Sequence, residues 1–464
     1  MIVRRLTQWF DDRLGATSWV RTALNKVFPD HWSFMLGEIA MYCFVILVLT
    51  GVYLTFFFVP SSRLVTYTGS YEPLRGTAVS EAYASVLRLS FDVRAGLVFR
   101  QMHHWAANVF IAAIVVHMAR IFFTGAFRRP REINWIVGVT LLVFAIFNGF
   151  TGYSLPDDLL SGTGLRIFYS IALSVPFVGT WLAFLLFGGE FPAHDIIPRL
   201  FVMHVLLVPA VLTALLSIHL ALVWHQKHTQ FRSPGRTETN VVGSKLWPTY
   251  AMKSVGLFLA IAAVLGVLGG FAQINPVWIY GPLDPAAVTS AAQPDWYLGW
   301  VEGALRLAPA WEIRAFGHTI PEPFFPGVLL PGLTFLVLYL WPFIEQRFTG
   351  DREPHNLLQR PRERPVQTAI GAGALVFYGL LFLAASNDIA ARMLGVSVFT
   401  ITQIFRIAVI VLPPIVGFSV YRMMRTLASS GATTFMEVPL TTFIRGRPID
   451  RDRSSQRAGP RNSG

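Results

Sequence analysis

Eight stretches of this chain are apolar for long enough, or nearly so, to cross about 30 Å of hydrocarbon as a helix. They are α1 (Ile39–Val59), α2 (Trp105–Phe127), α3 (Ile133–Gly152), α4 (Leu200–Trp224), α5 (Val255–Phe271), α6 (Phe324–Ile344), α7 (Ala369–Ala385) and α8 (Val396–Tyr421). Backbone inside a bilayer must satisfy its own hydrogen bonds, so these stretches can only be helices. Composition agrees. Only 14% of the 464 residues are Asp, Glu, Lys or Arg, where a soluble domain carries about a quarter. The expected fold is an all-α integral membrane protein.

The first apolar run begins at Ile39, too late for a secretory signal peptide. Between α3 and α4, Leu159–Phe187 is also apolar, but Arg166 and Pro176 interrupt it. It reads as a surface hairpin. The net charge of +12 could suggest nucleic-acid binding, but the cations lie in the connections between spans. They concentrate at the N-terminus, the α2–α3, α4–α5 and α6–α7 connections and the tail, while acids outnumber them in the other connections. Cations mark the cytoplasmic side, so both termini are expected there, in a multi-pass protein of the cell membrane. The single cysteine, Cys43, lies inside α1 and allows no intrachain disulfide and no CxxCH haem attachment.

Histidine is costly inside a span and is a functional hint there. His103 stands at the mouth of α2 and His117 inside it, and α4 carries His204 and His219. Fourteen residues fall about 40° short of four helical turns and fifteen overshoot by about 60°, so each pair shares a helix face and spans about 21 to 22 Å. Two helices with matched imidazole pairs can clamp two metal centres, as in bis-imidazole haem ligation. His104 is rotated about 140° from His117, so His103 is preferred as the ligand. Glycine gives a second pattern. Gly37 and Gly51 are 14 residues apart, as are Gly138 and Gly152. A macrocycle between helices needs close backbone approach, which glycine permits. Arg100 and Arg120 each stand three residues from a candidate ligand, placed to pair with propionates.

These residues carry a resemblance. Arg100-Gln101-Met102-His103, His117-Met118-Ala119-Arg120 and Gly152-Tyr153-Ser154-Leu155-Pro156 resemble the haem-binding segments of cytochrome b from cytochrome bc complexes. The likeness covers nearly all of residues 30 to 425. Phe127-Arg128-Arg129-Pro130-Arg131-Glu132 and the fifteen-residue spacing in α4 look like the plastid-type branch. That branch carries a third, covalent haem on a cysteine two residues before the first glycine; the position here is Met35, so no such haem is implied. The unsplit chain, Pro294-Asp295-Trp296-Tyr297 and the basic tail look most like the actinobacterial type.

The resemblance implies a cofactor-binding set of His103, His117, His204, His219, Arg100, Arg120, Gly37, Gly51, Gly138, Gly152 and Trp135. His103 with His204 would hold the outer iron and His117 with His219 the inner iron of two non-covalent b haems. Pro294-Asp295-Trp296-Tyr297 is similar to the Pro-Glu-Trp-Tyr motif of the outer quinol site, with Asp for Glu. Asp295, Tyr297 and Glu302 are the implied catalytic residues. At the inner quinone site the family uses a His and an Asp. The Asp position after Lys253 is Ser254 here, and the His has no clean match, which leaves His225 or His228 as substitutes.

The implied function is the cytochrome b subunit of a respiratory quinol:cytochrome c oxidoreductase. It oxidises quinol, expected to be menaquinol, at the outer site. One electron passes to a Rieske iron–sulfur partner and the other through two b haems to the inner quinone site, coupled to proton translocation. A cytochrome c subunit, membrane lipid and a second copy of the complex are the other implied partners, with a terminal oxidase a further candidate and no nucleic acid. The expected organisation is a cytoplasmic segment at 1–38, a diheme four-helix bundle at 39–224, helices α5–α8 with the outer loop at 225–421, and a disordered basic tail at 422–464. Two rivals stay open: a diheme anchor of another dehydrogenase, which would lack the outer loop and α5–α8, and a proton-coupled transporter, which would lack haem.

Overall fold

The computed structural model describes residues 2–287, 293–315 and 317–430. Eight helices among them are long and apolar enough to cross a membrane. They are α1 Trp32–Thr55, α2 Gly96–Phe123, α3 Glu132–Tyr153, α4 Ile196–Gln226, α5 Leu246–Phe271, α6 Phe325–Thr349, α7 Pro365–Ala384 and α8 Val398–Ser429. Each overlaps one expected span. The ends extend into polar residues because caps and turns, not hydropathy, stop a helix. At the start of α1, for example, His31 Nδ1 accepts the Ser33 N–H at 3.2 Å.

Helices α1–α4 form the bundle. Phe44 of α1 packs with Val208 and Leu212 of α4, and Phe110 of α2 and Leu141 and Phe144 of α3 close over them. Cys43 is fully buried where α1, α2 and α5 meet, beside Ile46, Ala106 and Leu265. Helix α6 lies against α3. Helices α7 and α8 pack together and receive the short helix Gly299–Leu307, whose Ala304 and Leu307 are buried against Leu381 and Ala384. Large apolar side chains such as Leu49, Leu259 and Ile410 stay well exposed on the outer helix faces. A lipid surface is where such side chains belong.

Leu159–Leu173 and Gly179–Phe187 are two short helices packed on each other, neither long enough to span, as the hairpin reading expected. The 1–38 segment carries helices Ile2–Leu14 and Ala16–Leu24 before α1. The tail differs from expectation at its start: α8 runs on through Ser429, beyond the expected end at Tyr421. The rest of the expected tail, from residue 431, lies outside the described residues.

Candidate functional site

His103 of α2 and His204 of α4 face each other, with ring centroids 6.1 Å apart and planes at 74°. Two imidazoles bound to opposite sides of one metal, with bonds of about 2 Å, place their centroids about 6 Å apart. The outer nitrogens fix the tautomers. Thr50 donates its hydroxyl to Ile46 O at 2.7 Å, so at 2.8 Å from His103 Nδ1 it must accept. His204 Nδ1 donates to Asn148 O at 3.0 Å. With a proton on each Nδ1, each Nε2 keeps its lone pair for a metal.

Each of the four glycines stands against one of the four histidines. A methyl group on Gly37 would lie 3.2 Å from His117 Cε1, on Gly51 3.3 Å from His103 Cε1, and on Gly138 3.7 Å from His219 Cε1. On Gly152 it would overlap the His204 ring outright. The equal glycine spacing therefore records room for imidazoles at two depths.

One mismatch in the sequence finds its explanation here. The α4 histidines are fifteen residues apart and those of α2 fourteen, yet His103 meets His204, and the inner His117 and His219 stand against glycines of matching spacing. Helix α4 contains a π turn, Met203–Leu207, which includes His204. Such a turn takes up one extra residue without changing the helix face that follows.

The His103–His204 pair lines a cavity of about 320 Å³. Arg100 lines it too. Its Nη2 donates to Asn275 O at 3.1 Å, but Nη1 is buried without a partner among the described residues. A buried, half-satisfied guanidinium is costly unless an anion completes it. Haem carries carboxylates, so the imidazoles and this arginine fit that group on both counts.

The same cavity reaches Asp295 and Tyr297. Asp295 is 9% exposed and accepts from His104 Nε2 at 2.8 Å, Asn275 Nδ2 at 3.2 Å and the Tyr297 hydroxyl at 3.2 Å. Burial and the Asp295 charge push the Tyr297 phenol well up from its ordinary value, so it stays a donor. Gly149 makes room for it, since a methyl there would lie 2.6 Å from the Tyr297 oxygen.

Other expected residues go elsewhere. Glu302 does not line the cavity; it pairs with Arg306 at 2.9 Å, which also binds Asp388 at 3.0 Å. Trp135 is buried between α3 and α6 and donates Nε1 to Leu338 O at 2.6 Å, a helix-packing contact away from the cavity. The Arg120 guanidinium sits 4.5 Å from the centre of the Phe34 ring, with Nε 3.4 Å from Ser33 O.

At the other end of the bundle, Ser254 and Tyr250 of α5 and Tyr42 of α1 all donate to the carboxylate of Glu38. Lys253 pairs with Asp30 at 2.7 Å. His225 is exposed, whereas the His228 ring packs 4.9 Å from Phe28, which also stacks on Tyr250 at 4.5 Å.

Sequence reasoning missed His104, Asn275, Gly149, Glu38, Tyr42 and Tyr250 as site residues. For His104 a signal existed: the rotation that disqualified it as a ligand turns it toward the loop before α6. An acid beside Gly37 at the start of an apolar span was a signal for Glu38.

Fold and site together define an integral membrane protein of the cytochrome type. The family described as cytochrome b(N-terminal)/b6/petB matches residues 108–282. The cytochrome bc1 complex cytochrome b subunit of Mycobacterium leprae (strain TN) is 56% identical over 422 residues, 91% of this chain and 76% of that protein. The proteins of the same name from Streptomyces coelicolor and Corynebacterium diphtheriae are 51% and 52% identical, each over 89% of this chain and 76% of their own length. A solved structure titled "Hyperthermophilic respiratory Complex III" shares the fold at a TM-score of 0.67 and 22% identity, covering 89% of this chain and 99% of its own. The chain belongs to the family of cytochrome b subunits of cytochrome bc1 complexes.

Proposed function

We propose that this chain is the quinol-oxidising, electron-carrying subunit of a proton-translocating quinol:cytochrome c reductase. His103 with His204, and His117 with His219, hold two non-covalent b haems, and Arg100 and Arg120 pair with their propionates. Bound there, the haems supply one-electron transfer across the membrane. The protein's part is to hold the His103 and His204 imidazoles in one tautomer.

The observation that carries the reading is the shared outer cavity, where an imidazole pair and a buried carboxylate meet. A quinol entering it would present a hydroxyl to Asp295, which can accept the proton while Tyr297 and Asn275 hold the carboxylate in place. Of the two electrons, one leaves to a Rieske iron–sulfur partner and one crosses the bundle to a quinone at the inner end. Menaquinol is the proposed substrate. A cytochrome c subunit, a second copy of the complex and a terminal oxidase complete the proposed assembly, in the cell membrane with both termini in the cytoplasm.

The test is a reduced-minus-oxidised spectrum and haem count on the purified complex. The unaltered protein should hold two b haems, and His→Leu at each of the four positions should remove one. Full retention of both in any single variant would sink the ligand assignment. A complex without haem would leave a transporter as the better reading.

A further inference from the structure

Asp158 is a second carboxylate in the wall of the outer cavity, and proton transfer to Asp295 makes no use of it. It is the deeper of the two, 2% exposed against 9%. Asp158 caps the helix Leu159–Leu173: Ser161 gives Oδ1 its N–H at 3.0 Å and its hydroxyl at 2.5 Å. Asp157 before it holds a left-handed φ of 55°, a state that a non-glycine residue keeps only where its surroundings impose it. The α5–α6 connection does so here. Leu283 donates its N–H to Asp157 O, and Leu159 donates to Gly281 O, each at 3.0 Å. The carboxylate is thus fixed in the wall.

A helix cap needs no charge, since serine and asparagine cap as well. A buried carboxylate is costly unless it is paired. Arg100 of α2 is the neighbouring cation, yet its Nη2 bonds Asn275 O and its Nη1 has no hydrogen-bond partner among the described residues. The phenols of Tyr83, Tyr153 and Tyr280 stand in the field of Asp158, from the helix Glu81–Phe91, from α3 and from the short helix Val277–Tyr280. Burial pushes the Asp158 carboxyl up, against the pull of the Ser161 donors and the Arg100 charge. A carboxyl balanced in this way changes its proton occupancy when a charge nearby changes.

We infer that Asp158 is a redox-linked proton site, whose carboxylate takes up a proton when the outer centre held by His103 and His204 gains an electron, and releases it when the electron moves on. The inference rests on the proposed function, which supplies that electron from quinol. In the first step water on the outer side gives up a proton and an O–H bond forms on Asp158. In the second that bond breaks, and the proton returns to water beside the partly exposed Tyr280. Proton and electron enter together and leave together, so the cavity never carries the whole added charge at low dielectric.

The test is a redox titration of the b-haem bands of the intact complex at a series of pH values, with Asp158→Asn, Asp158→Ser and Asp158→Glu. Asn and Ser keep an acceptor for the Ser161 N–H and lose the charge; Glu keeps the charge. In the unaltered complex the outer midpoint should fall as pH rises, because the carboxylate form disfavours the added electron. By reciprocity the proton and the electron bias each other equally, and a coupling of roughly tenfold is about 59 mV for a one-electron couple. Asp158→Asn and Asp158→Ser should hold the outer midpoint near its acid value at alkaline pH and leave the inner band alone. Asp158→Glu should restore part of the slope. The reduced-minus-oxidised infrared spectrum should lose a protonated-carboxyl band in Asp158→Asn. An unaltered slope in the Asn and Ser variants would overturn the inference, as would an unchanged carboxyl band. Equal loss of slope in all three variants, or loss of the outer haem from all three, would overturn it too, by showing a structural role. If the unaltered complex lacks two b haems, the proposed function itself fails and the inference with it.

Discussion

His104 Nε2 donates to the Asp295 carboxylate at 2.8 Å, across 191 residues of sequence. The histidine beside a candidate haem ligand thus positions the acid of the outer loop. Asp295→Asn should leave both haems in place and slow quinol-dependent cytochrome c reduction roughly 100-fold or more. Asp295→Glu should keep substantial activity if reach is the only difference. His104→Leu should cost less, since Asn275 and Tyr297 still hold the carboxylate. Because Glu302 is tied to Arg306, adding Glu302→Gln should change the rate independently of Asp295. Unaltered turnover in Asp295→Asn would show that the carboxylate is structural.

The four glycines should differ in their tolerance of a methyl group. Gly152→Ala overlaps His204 and should cost the outer haem. Gly37→Ala and Gly51→Ala, at 3.2 and 3.3 Å from an imidazole, should weaken binding with partial haem loss. Gly138→Ala, at 3.7 Å, makes ordinary contact and should keep both haems. Haem per protein across the four variants checks the order, and a reversed order would refute the imidazole-room argument.

If all eight candidate spans cross, both chain ends lie on one side, and the cation distribution marks that side as the proposed cytoplasmic one. A reporter fused to the C-terminus should be active only in its cytoplasmic form. A fusion active outside would mean that the charge asymmetry has been misread or that a span does not cross.

Burial, helped by the positive charge of Arg120, lowers His31 and His228 from 6.5 to about 4. As pH falls, the unfolded chain therefore takes up these protons before the folded protein does. The stability that depends on neutral imidazoles is complete above about pH 6.5 and is lost between there and about pH 4. Thermal unfolding of the purified protein should shift down over that window. The double variant His31→Gln with His228→Gln should flatten the dependence, and an unchanged slope would contradict it.

Much of this protein was legible without coordinates, because the deciding physics is local. Hydrocarbon thickness sets the length of a span, so α1–α8 could be read from runs of apolar residues. Helical period ties spacing to face, so the meeting of His103 with His204, and the glycines that stand against all four histidines, could be found by counting. What stayed hidden depends on elements distant in sequence. Whether Glu302 or His104 faces the outer cavity is decided by how the Gly299–Leu307 helix and the preceding loop land on α2 and α7. Trp135 looked like a pocket residue until α6 packed over it and took its N–H. Glu38 gained the Tyr250 and Ser254 hydroxyls only when α5 lay against α1. The fifteen-residue interval in α4 was visible as an anomaly, but its resolution in a π turn required the packed bundle, where facing imidazoles must meet at one depth.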